Sequence, residues 1–212
     1  MAGRRQLDEK IVAIGEVLRS HGIPHAIGGA IALAYYGEPR TTIDIDVNVF
    51  VDADRAGPVL DVLAGLGIDG VSDETIGIVS RVGQIELLWD ETPIDLFFMN
   101  HPLHRECAKR VRQVPFGTDV IKILAVEDLV LFKIAFNRRK DWIDLEQVLF
   151  ATAGTFDLNY LRRWADDLFE NGDPRLIELQ AVIERILGPD VWTTSGAKIP
   201  KGHDASTDNL EP

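Results

Sequence analysis

The sequence predicts an α/β (α+β) fold in which a mixed sheet flanked by helices is followed by a helical subdomain. Segments with strand-like alternation occur only before about residue 124, and the segments after it have helical periodicity alone. The 212 residues are 46% hydrophobic and 26% charged, which is typical of globular proteins. We therefore expect a first domain over 1–123, a helical subdomain completing its site over 124–190, and a loose tail over 191–212.

The elements before residue 124 alternate between helices and strands. Apolar residues at helical spacing predict a helix over 7–20, and a short strand over 25–27 leads into Gly28-Gly29. Strict alternation of apolar and polar residues predicts a strand over 43–51. The other elements predicted in this part are a small helix over 30–34, a helix over 54–67, strands over 76–82, 84–89 and 94–99, a basic helix over 102–112 and an apolar stretch over 120–124. Helices are then predicted over 126–137, 141–152, 158–170 and 174–187.

Charge and cysteine content exclude several classes of protein. With 34 acidic and 22 basic side chains the chain has a formal charge of −12, which argues against non-specific, whole-surface binding to nucleic acid. The lone Cys107 excludes a disulfide framework and a cysteine-based zinc site, and it suits a reducing cytoplasm. No apolar run reaches the ~18 residues of a membrane span and no signal-peptide pattern is present, so we expect a cytoplasmic protein with no membrane partner.

Three aspartates form the main candidate site. Asp44 and Asp46 alternate on the predicted strand and so point to the same face, where paired carboxylates need a cation. Asp95 lies in an otherwise apolar strand and also needs a partner. If the two strands are neighbours, the three carboxylates can hold Mg²⁺, which binds through carboxylates and substrate phosphates. The alternative is a solvated edge strand.

Phosphate-binding groups are predicted on both sides of this strand. Gly28-Gly29 follows a strand and opens a helix, an arrangement in which backbone amides approach phosphate closely, although most such pairs are simple turns. Arg40 precedes the aspartates and is either a bidentate triphosphate ligand or an ordinary surface arginine. His101 and His104 are interpreted as surface histidines rather than metal ligands.

The order of these motifs resembles the active-site region of the polymerase-beta-like nucleotidyltransferase superfamily, over roughly residues 10–150. The match consists of Ile27-Gly28-Gly29-Ala30 followed by Tyr36-Gly37-Glu38-Pro39-Arg40-Thr41-Thr42-Ile43-Asp44-Ile45-Asp46-Val47. Within the superfamily the sequence looks most like the AbiEii and MenT-type toxins of toxin–antitoxin pairs, because Glu127-Asp128-Leu129, Lys133 and Arg138-Arg139-Lys140-Asp141 follow. One departure is that many members have Gly-Ser where this chain has Gly28-Gly29.

The resemblance implies a metal-dependent enzyme that uses an NTP with Mg²⁺ or Mn²⁺. The residues it assigns are Asp44, Asp46 and Asp95 as metal ligands, Gly28, Gly29, Arg40, Thr41 and Lys133 as nucleotide-binding residues, and Lys133 and Asp141 as further catalytic residues. From the residues alone, Lys133 on an apolar helix either meets an acid or phosphate or snorkels to solvent. Asp141 either supports the site or caps a helix starting at Trp142.

The acceptor is predicted from charge distribution and from the resemblance. Residues 104–140 carry nine basic and four acidic side chains, a local excess that suggests a polyanionic acceptor. The resemblance points to the 3′ end of tRNA, and to a toxin with a cognate antitoxin as partner. The alternatives are a small-molecule, antibiotic-type nucleotidyltransferase, which the acidic helices over 141–190 would suit, and a non-catalytic, antitoxin-like binding protein.

Overall fold

The structure is a computed structural model and describes residues 5–194. A six-stranded sheet lies at its centre. Its strands are β1 His25–Ile27, β2 Ile45–Asp52, β3 Gln84–Trp89, β4 Thr92–Met99, β5 Arg112–Phe116 and β6 Asp119–Ile123. They lie in the order β3-β4-β2-β1-β6-β5. Because β2 pairs with β4 and β1 with β6 in parallel, while the other pairs are antiparallel, the sheet is mixed as the sequence predicts.

Helices flank the sheet and continue after its last strand. They are α1 Leu7–Ser20, α2 Gly29–Leu33, α3 Gly57–Ala64, α4 Asp73–Val82, α5 Pro102–Arg110, α6 Val126–Phe136, α7 Arg139–Ala151, α8 Leu158–Leu168, α9 Pro174–Leu187 and α10 Val191–Thr194. A 3-10 turn, Ala53–Arg55, links β2 to α3. In the described part of the chain, no helix is long and apolar enough to cross a membrane.

The alternation of β2 separates a core face from a polar face. Ile45, Val47 and Val49 are fully buried and join the hydrophobic core, whereas Asp46 and Asn48 occupy the other face. The same core cluster includes apolar residues of α1 and of the helices after β6. The division into a first domain and a helical subdomain stays a prediction.

The strand predicted over 76–82 is wrong, because this segment belongs to α4. Its β-branched residues favour a strand, but local capping outweighs that propensity. The Ser72 hydroxyl accepts a hydrogen bond from the Thr75 amide at the start of the helix. Gly83 ends the helix in the left-handed region, with φ of 77°. Thr75 and Val79, four residues apart, form the buried stripe.

Smaller differences concern the ends of elements. β2 begins at Ile45, so Asp44 lies just before the strand rather than on it. β5, which pairs with β6, was not predicted because its sequence lacks a continuous apolar face, and the helix predicted over 102–112 overlaps it at Arg112. The predicted tail begins with α10, whose Trp192 is buried, and the rest of that tail, 195–212, lies outside the described residues.

Candidate active site

The parallel pairing of β2 with β4 places two of the predicted aspartates side by side. Asp46 and Asp95 are in register on the neighbouring strands, so their side chains leave the same face of the sheet. Glu86 on β3 is in register with Asp95 and extends this row to the sheet edge. The predicted adjacency of the two aspartate strands is therefore confirmed, and Glu86 is a neighbour that the sequence did not reveal.

The row of carboxylates has too little positive charge around it. Burial raises the pKa of Asp46 to about 6, and the charges of Asp95 and Asp44 add to the effect. Burial, Glu86 and Asp44 likewise raise the pKa of Asp95. Both carboxylates therefore lie where a proton or a cation is favoured.

Asp44 has a different environment from its two neighbours. Its Oδ1 accepts hydrogen bonds from the Thr42 hydroxyl at 2.6 Å and from the Ile43 amide at 3.2 Å. The Thr42 hydrogen bond is the main reason that the pKa of Asp44 is lowered, against the effect of burial. Asp44 is thus an ionised carboxylate whose second oxygen, Oδ2, is not used by these two contacts.

The residues fit a divalent cation bound mainly by a carboxylate pair. Within residues 5–194, no group of three or more His, Cys, Asp or Glu side chains is arranged to hold a metal ion. Mg²⁺ nevertheless needs only one or two carboxylates when substrate phosphates supply further oxygens. Asp46 and Asp95 are hard oxygen donors in register, and a cation would relieve the repulsion that raises their pKa values. They are the residues that would hold the ion, with Asp44 beside them.

Gly29 lets the backbone of α2 approach Asp46 very closely. Its φ is +52°, and a Cβ at this position would lie 1.7 Å from Oδ2 of Asp46. The amide of Gly28 donates to the backbone carbonyl of Asp46 at 2.8 Å and is therefore engaged within the fold. Phosphate binding by the glycine pair stays a prediction, and the Gly28 amide is already used in this hydrogen bond.

Arg40 and Thr41 lie on the loop before β2. Arg40 is exposed, and its Nε donates to the carboxylate of Asp144 on α7 at 3.2 and 3.3 Å. Thr41 is also exposed, and its carbonyl accepts a 3.4 Å hydrogen bond from Arg40. The loop is thus attached to α7 through Arg40, and Asp144 is a site residue that sequence reasoning did not single out.

Lys133 is the centre of a buried ion-pair network between α6 and α7. It is 7% exposed, and its Nζ donates to Asp141 at 3.1 Å and to Asp144 at 2.7 Å. Of the two interpretations of its sequence position, snorkelling to solvent is wrong and an acidic partner is correct. The network joins the two helices whose residues face the sheet site.

Asp141 caps α7 from inside the helix. The helix begins at Arg139, with Arg138 as its N-cap, so the expectation that Asp141 precedes a helix starting at Trp142 is wrong. Asp141 accepts from the amide and the guanidinium of Arg138 at 3.3 and 2.7 Å. Burial would raise the pKa of Asp141, but the hydrogen bond from Arg138 and the charge of Lys133 outweigh it and lower that pKa.

A pocket of about 380 Å³ lies against Asp46 of the carboxylate pair. Four of the predicted site residues line it: Gly29, Asp46, Lys133 and Asp141. Its other lining residues come from several elements, with the largest number from α6, and are largely apolar. Pockets of this size and lining are typical of small-molecule sites.

His104 and Asn48 line this pocket as well, and neither was predicted there. The interpretation of His104 as a surface histidine is wrong, since it is 8% exposed. His101 is partly exposed, and its Nδ1 accepts from the Leu103 amide as the N-cap of α5. Asn48 could have been found from alternation, because it follows Asp46 on the same face of β2. His104 carries no comparable sequence signal.

Many of the basic side chains over 104–140 form ion pairs with acidic side chains. Among the pairs in the described part of the chain are Arg105–Asp52, Lys109–Glu106, Arg110–Glu127, Lys133–Asp141 and Arg138–Asp141. Arg138, Arg139 and Lys140 are nevertheless exposed at the start of α7, next to the pocket that Arg138 lines. The positive charge that faces solvent near the site is therefore concentrated at 138–140.

Comparison with known proteins gives structural similarities only. No family model and no curated protein matches this chain. The antibiotic-resistance factor ANT(2'')-Ia, solved in solution, has a TM-score of 0.51 at 13% identity, over 75% of this chain and 91% of its own. An antigenic nucleotidyltransferase-like protein from Paracoccidioides brasiliensis has a TM-score of 0.48 at 14% identity, over 88% and 96%. The lincomycin-bound lincosamide adenylyltransferase LnuA has a TM-score of 0.48 at 13% identity, over 69% and 98%. The similarity to ANT(2'')-Ia shows a shared fold.

Proposed function

We propose that this chain is a metal-dependent nucleotidyltransferase that transfers a nucleotide from an NTP to an acceptor hydroxyl. The observation that carries the proposal is the in-register pair Asp46 and Asp95, a carboxylate pair short of positive charge in which Asp46 packs against Gly29. The fold shared with ANT(2'')-Ia and the motif order in the sequence support it.

In such a reaction, some of these residues would bind the cation and the phosphates, and others would position those residues. Asp46 and Asp95, with Asp44 beside them, would hold Mg²⁺ or Mn²⁺. When bound, the ion would lower the pKa of the attacking hydroxyl and neutralise charge on the leaving pyrophosphate. Gly29 leaves room for the phosphates, and Lys133 and Arg40 are the cations that would bind them. Asp141 and Asp144 orient Lys133 through the hydrogen bonds described above.

The chemical step is then a displacement at the α-phosphorus. The hydroxyl oxygen forms a bond to this atom, the bond to the bridging oxygen of the β-phosphate breaks, and pyrophosphate leaves with the electron pair. The hydroxyl proton is released to solvent. The pocket lined by Asp46 on one side keeps part of the substrates away from water.

For the acceptor we propose the 3′ end of tRNA, in which case the protein is a toxin that blocks aminoacylation and translation and has a cognate antitoxin. The exposed cations Arg138, Arg139 and Lys140 beside the site support a polyanionic acceptor. The sequence resemblance to AbiEii and MenT-type toxins supports the same choice.

A second candidate acceptor is a small hydroxylated molecule. It is favoured by the largely apolar pocket next to Asp46, which has the volume of a small-molecule site and in this case would hold the acceptor. The described similarity to an antibiotic-resistance factor agrees with this candidate.

The direct test incubates the purified protein with each of the four α-labelled NTPs, with total tRNA or with a set of antibiotics, in Mg²⁺ or in EDTA. We expect label on tRNA that requires Mg²⁺ and is lost in Asp46→Asn. Label on an antibiotic instead would select the second acceptor. No labelled product with any acceptor, or full biological effect of Asp46→Asn and Asp95→Asn, would contradict the proposal and favour a non-catalytic binding protein.

A further inference from the structure

The pocket continues from Asp46 into a space with aromatic and aliphatic walls. These walls are formed by Phe97, Phe98, Leu124, Leu129, Phe132 and Phe136. Phe97 and Phe136 meet edge to face with ring centroids 5.6 Å apart. Among residues 5–194, the lysine and arginine side chains that line the pocket are Lys133 and Arg138, and both are paired with Asp141. Within the described residues, the interior therefore suits an uncharged, flat group.

His104 presents an unused hydrogen-bond acceptor in this pocket. Its Nδ1 lies 3.2 Å from the backbone carbonyl oxygen of His101, and because a carbonyl only accepts, Nδ1 carries the proton. Burial lowers the pKa of His104, so the ring is neutral and Nε2 has a free lone pair. Nε2 has no hydrogen-bond partner among residues 5–194. The ring is held in place against Phe132, with centroids 5.3 Å apart.

Asn48 is a second buried polar group without a partner. It is 4% exposed, lines the same pocket, and its side-chain amide makes no hydrogen bond within the part of the chain that the structure describes. Buried side-chain amides and imidazoles are normally hydrogen-bonded. Both residues are more than nine-tenths buried and line the pocket, so a molecule bound there can supply the partners that their polar atoms lack.

We infer that this pocket binds the base of the nucleoside triphosphate, with an N–H group of the base donating to Nε2 of His104 and the Asn48 amide bonding a second polar atom. The inference rests on the proposed function, which places the phosphates of the same molecule at Gly29 and Lys133. Both residues line the pocket, so the uncharged end of the nucleotide is the part within reach of the apolar walls. His104 and Asn48 are thus residues that determine base specificity.

The test measures binding separately from transfer. Isothermal titration of the full chain with ATP, CTP, GTP and UTP in Mg²⁺ is compared with titration by inorganic tripolyphosphate, which has no base. We expect one or two NTPs to bind at least about tenfold more tightly than tripolyphosphate. His104→Phe keeps a ring against Phe132 but removes Nε2, and Asn48→Leu removes the amide at similar volume.

Each variant is expected to weaken the best NTP about tenfold, which corresponds to about 1.4 kcal/mol, and to leave tripolyphosphate binding unchanged. His21→Phe, at the exposed end of α1, is the matched control and should bind like the wild type. Thermal unfolding checks that the variants fold. If His104→Phe does not fold, the binding measured for Asn48→Leu decides the test. Equal binding of NTPs and tripolyphosphate, or wild-type binding of NTPs by the folded variants, would overturn the inference.

The outcomes also separate this inference from the proposed function. Base-dependent binding that the variants weaken, without transfer to any acceptor, would support the pocket and refute the transferase. Transfer without base-dependent binding would support the transferase and refute the base pocket. If no nucleotide binds at all, both are refuted.

Discussion

Two groups of aspartates lie close to the pocket and have opposite electrostatic surroundings. Asp46 and Asp95 lie side by side on the sheet, no ion pair to either is found within the described residues, and their pKa values are raised. Asp141 on α7 touches both Lys133 and Arg138, and its pKa is lowered. Asp144, also on α7, pairs with Lys133 and Arg40.

This difference distinguishes residues suited to binding a ligand from residues suited to holding structure. A buried carboxylate without a counter-ion costs free energy, which a bound cation would recover. A carboxylate that is already paired contributes to the fold and to the orientation of its cation. Substitutions in the sheet pair are therefore expected to affect activity far more than stability, and those in the helix network are expected to affect stability strongly.

The largest expected effect is that of Asp46→Asn on activity. We expect nucleotidyl transfer to fall at least about a thousandfold, which corresponds to about 4 kcal/mol of transition-state stabilisation. The free energy of unfolding should not fall at pH 7, because the amide removes repulsion with Asp95. Transfer assays and urea unfolding measure the two quantities. Asp52→Asn, at the end of the same strand and 47% exposed, is the control that should keep activity.

A large loss of stability, which Asp46→Asn should not show, is expected for Lys133→Met. This change leaves Asp141 and Asp144 buried beside one fewer cation, and we expect a loss of about 3 to 5 kcal/mol in the free energy of unfolding. Lys109→Met removes an exposed pair with Glu106 and should cost less than ~1 kcal/mol. Urea unfolding at constant pH gives both values. A Lys133→Met protein as stable as the wild type would show that the network does not hold the helices together.

A smaller expected effect concerns the pH dependence of the free energy of unfolding, which differs in sign between a well-paired buried acid and a poorly paired one. Asp128 on α6 is fully buried, 3.9 Å from Nε of Arg110, and burial raises its pKa to about 6 although Tyr160 donates to it. The folded state therefore binds more protons than the unfolded state between pH 4 and 6, so stability falls as pH rises through this range.

The contribution of Asp128 to this fall is up to about 3 kcal/mol, and it should be absent in Asp128→Asn. Asp141 acts with the opposite sign, because its lowered pKa gives stability that is lost as pH decreases. Urea unfolding of the wild type and Asp128→Asn at pH 4.5 and 7 isolates the difference. An identical change with pH in both proteins would contradict the raised pKa of Asp128.

Periodicity and spacing were sufficient to predict the elements that position the sheet site. The alternation from Ile45 to Val49 and the apolar surroundings of Asp95 indicated two buried strands, and the parallel register then brings Asp46 and Asp95 together. Helix α1 was predicted with its observed ends, since its buried residues recur every three or four positions. These features depend on local pattern, which a single sequence contains.

The features that were not predicted depend on contacts between distant segments. The pairing of Arg40 with Asp144 joins a loop to a helix far along the chain, and nothing near either residue indicates it. His104 enters the pocket because α5 packs beside β4, which its sequence spacing does not show. In α4 the short-range caps at Ser72 and Gly83 outweigh the β-branched composition, and both caps are visible in the sequence.

The order of the strands also sets when the site can form during synthesis. β1 is synthesised early, but one of its neighbours in the sheet is β6. The pairing of Ile27 with Ile123 can therefore form only after β6 has been synthesised. The hydrogen bond between Arg40 and Asp144 forms later still, because Asp144 is synthesised after all six strands. A chain still attached to the ribosome therefore lacks an assembled site until α7 has emerged.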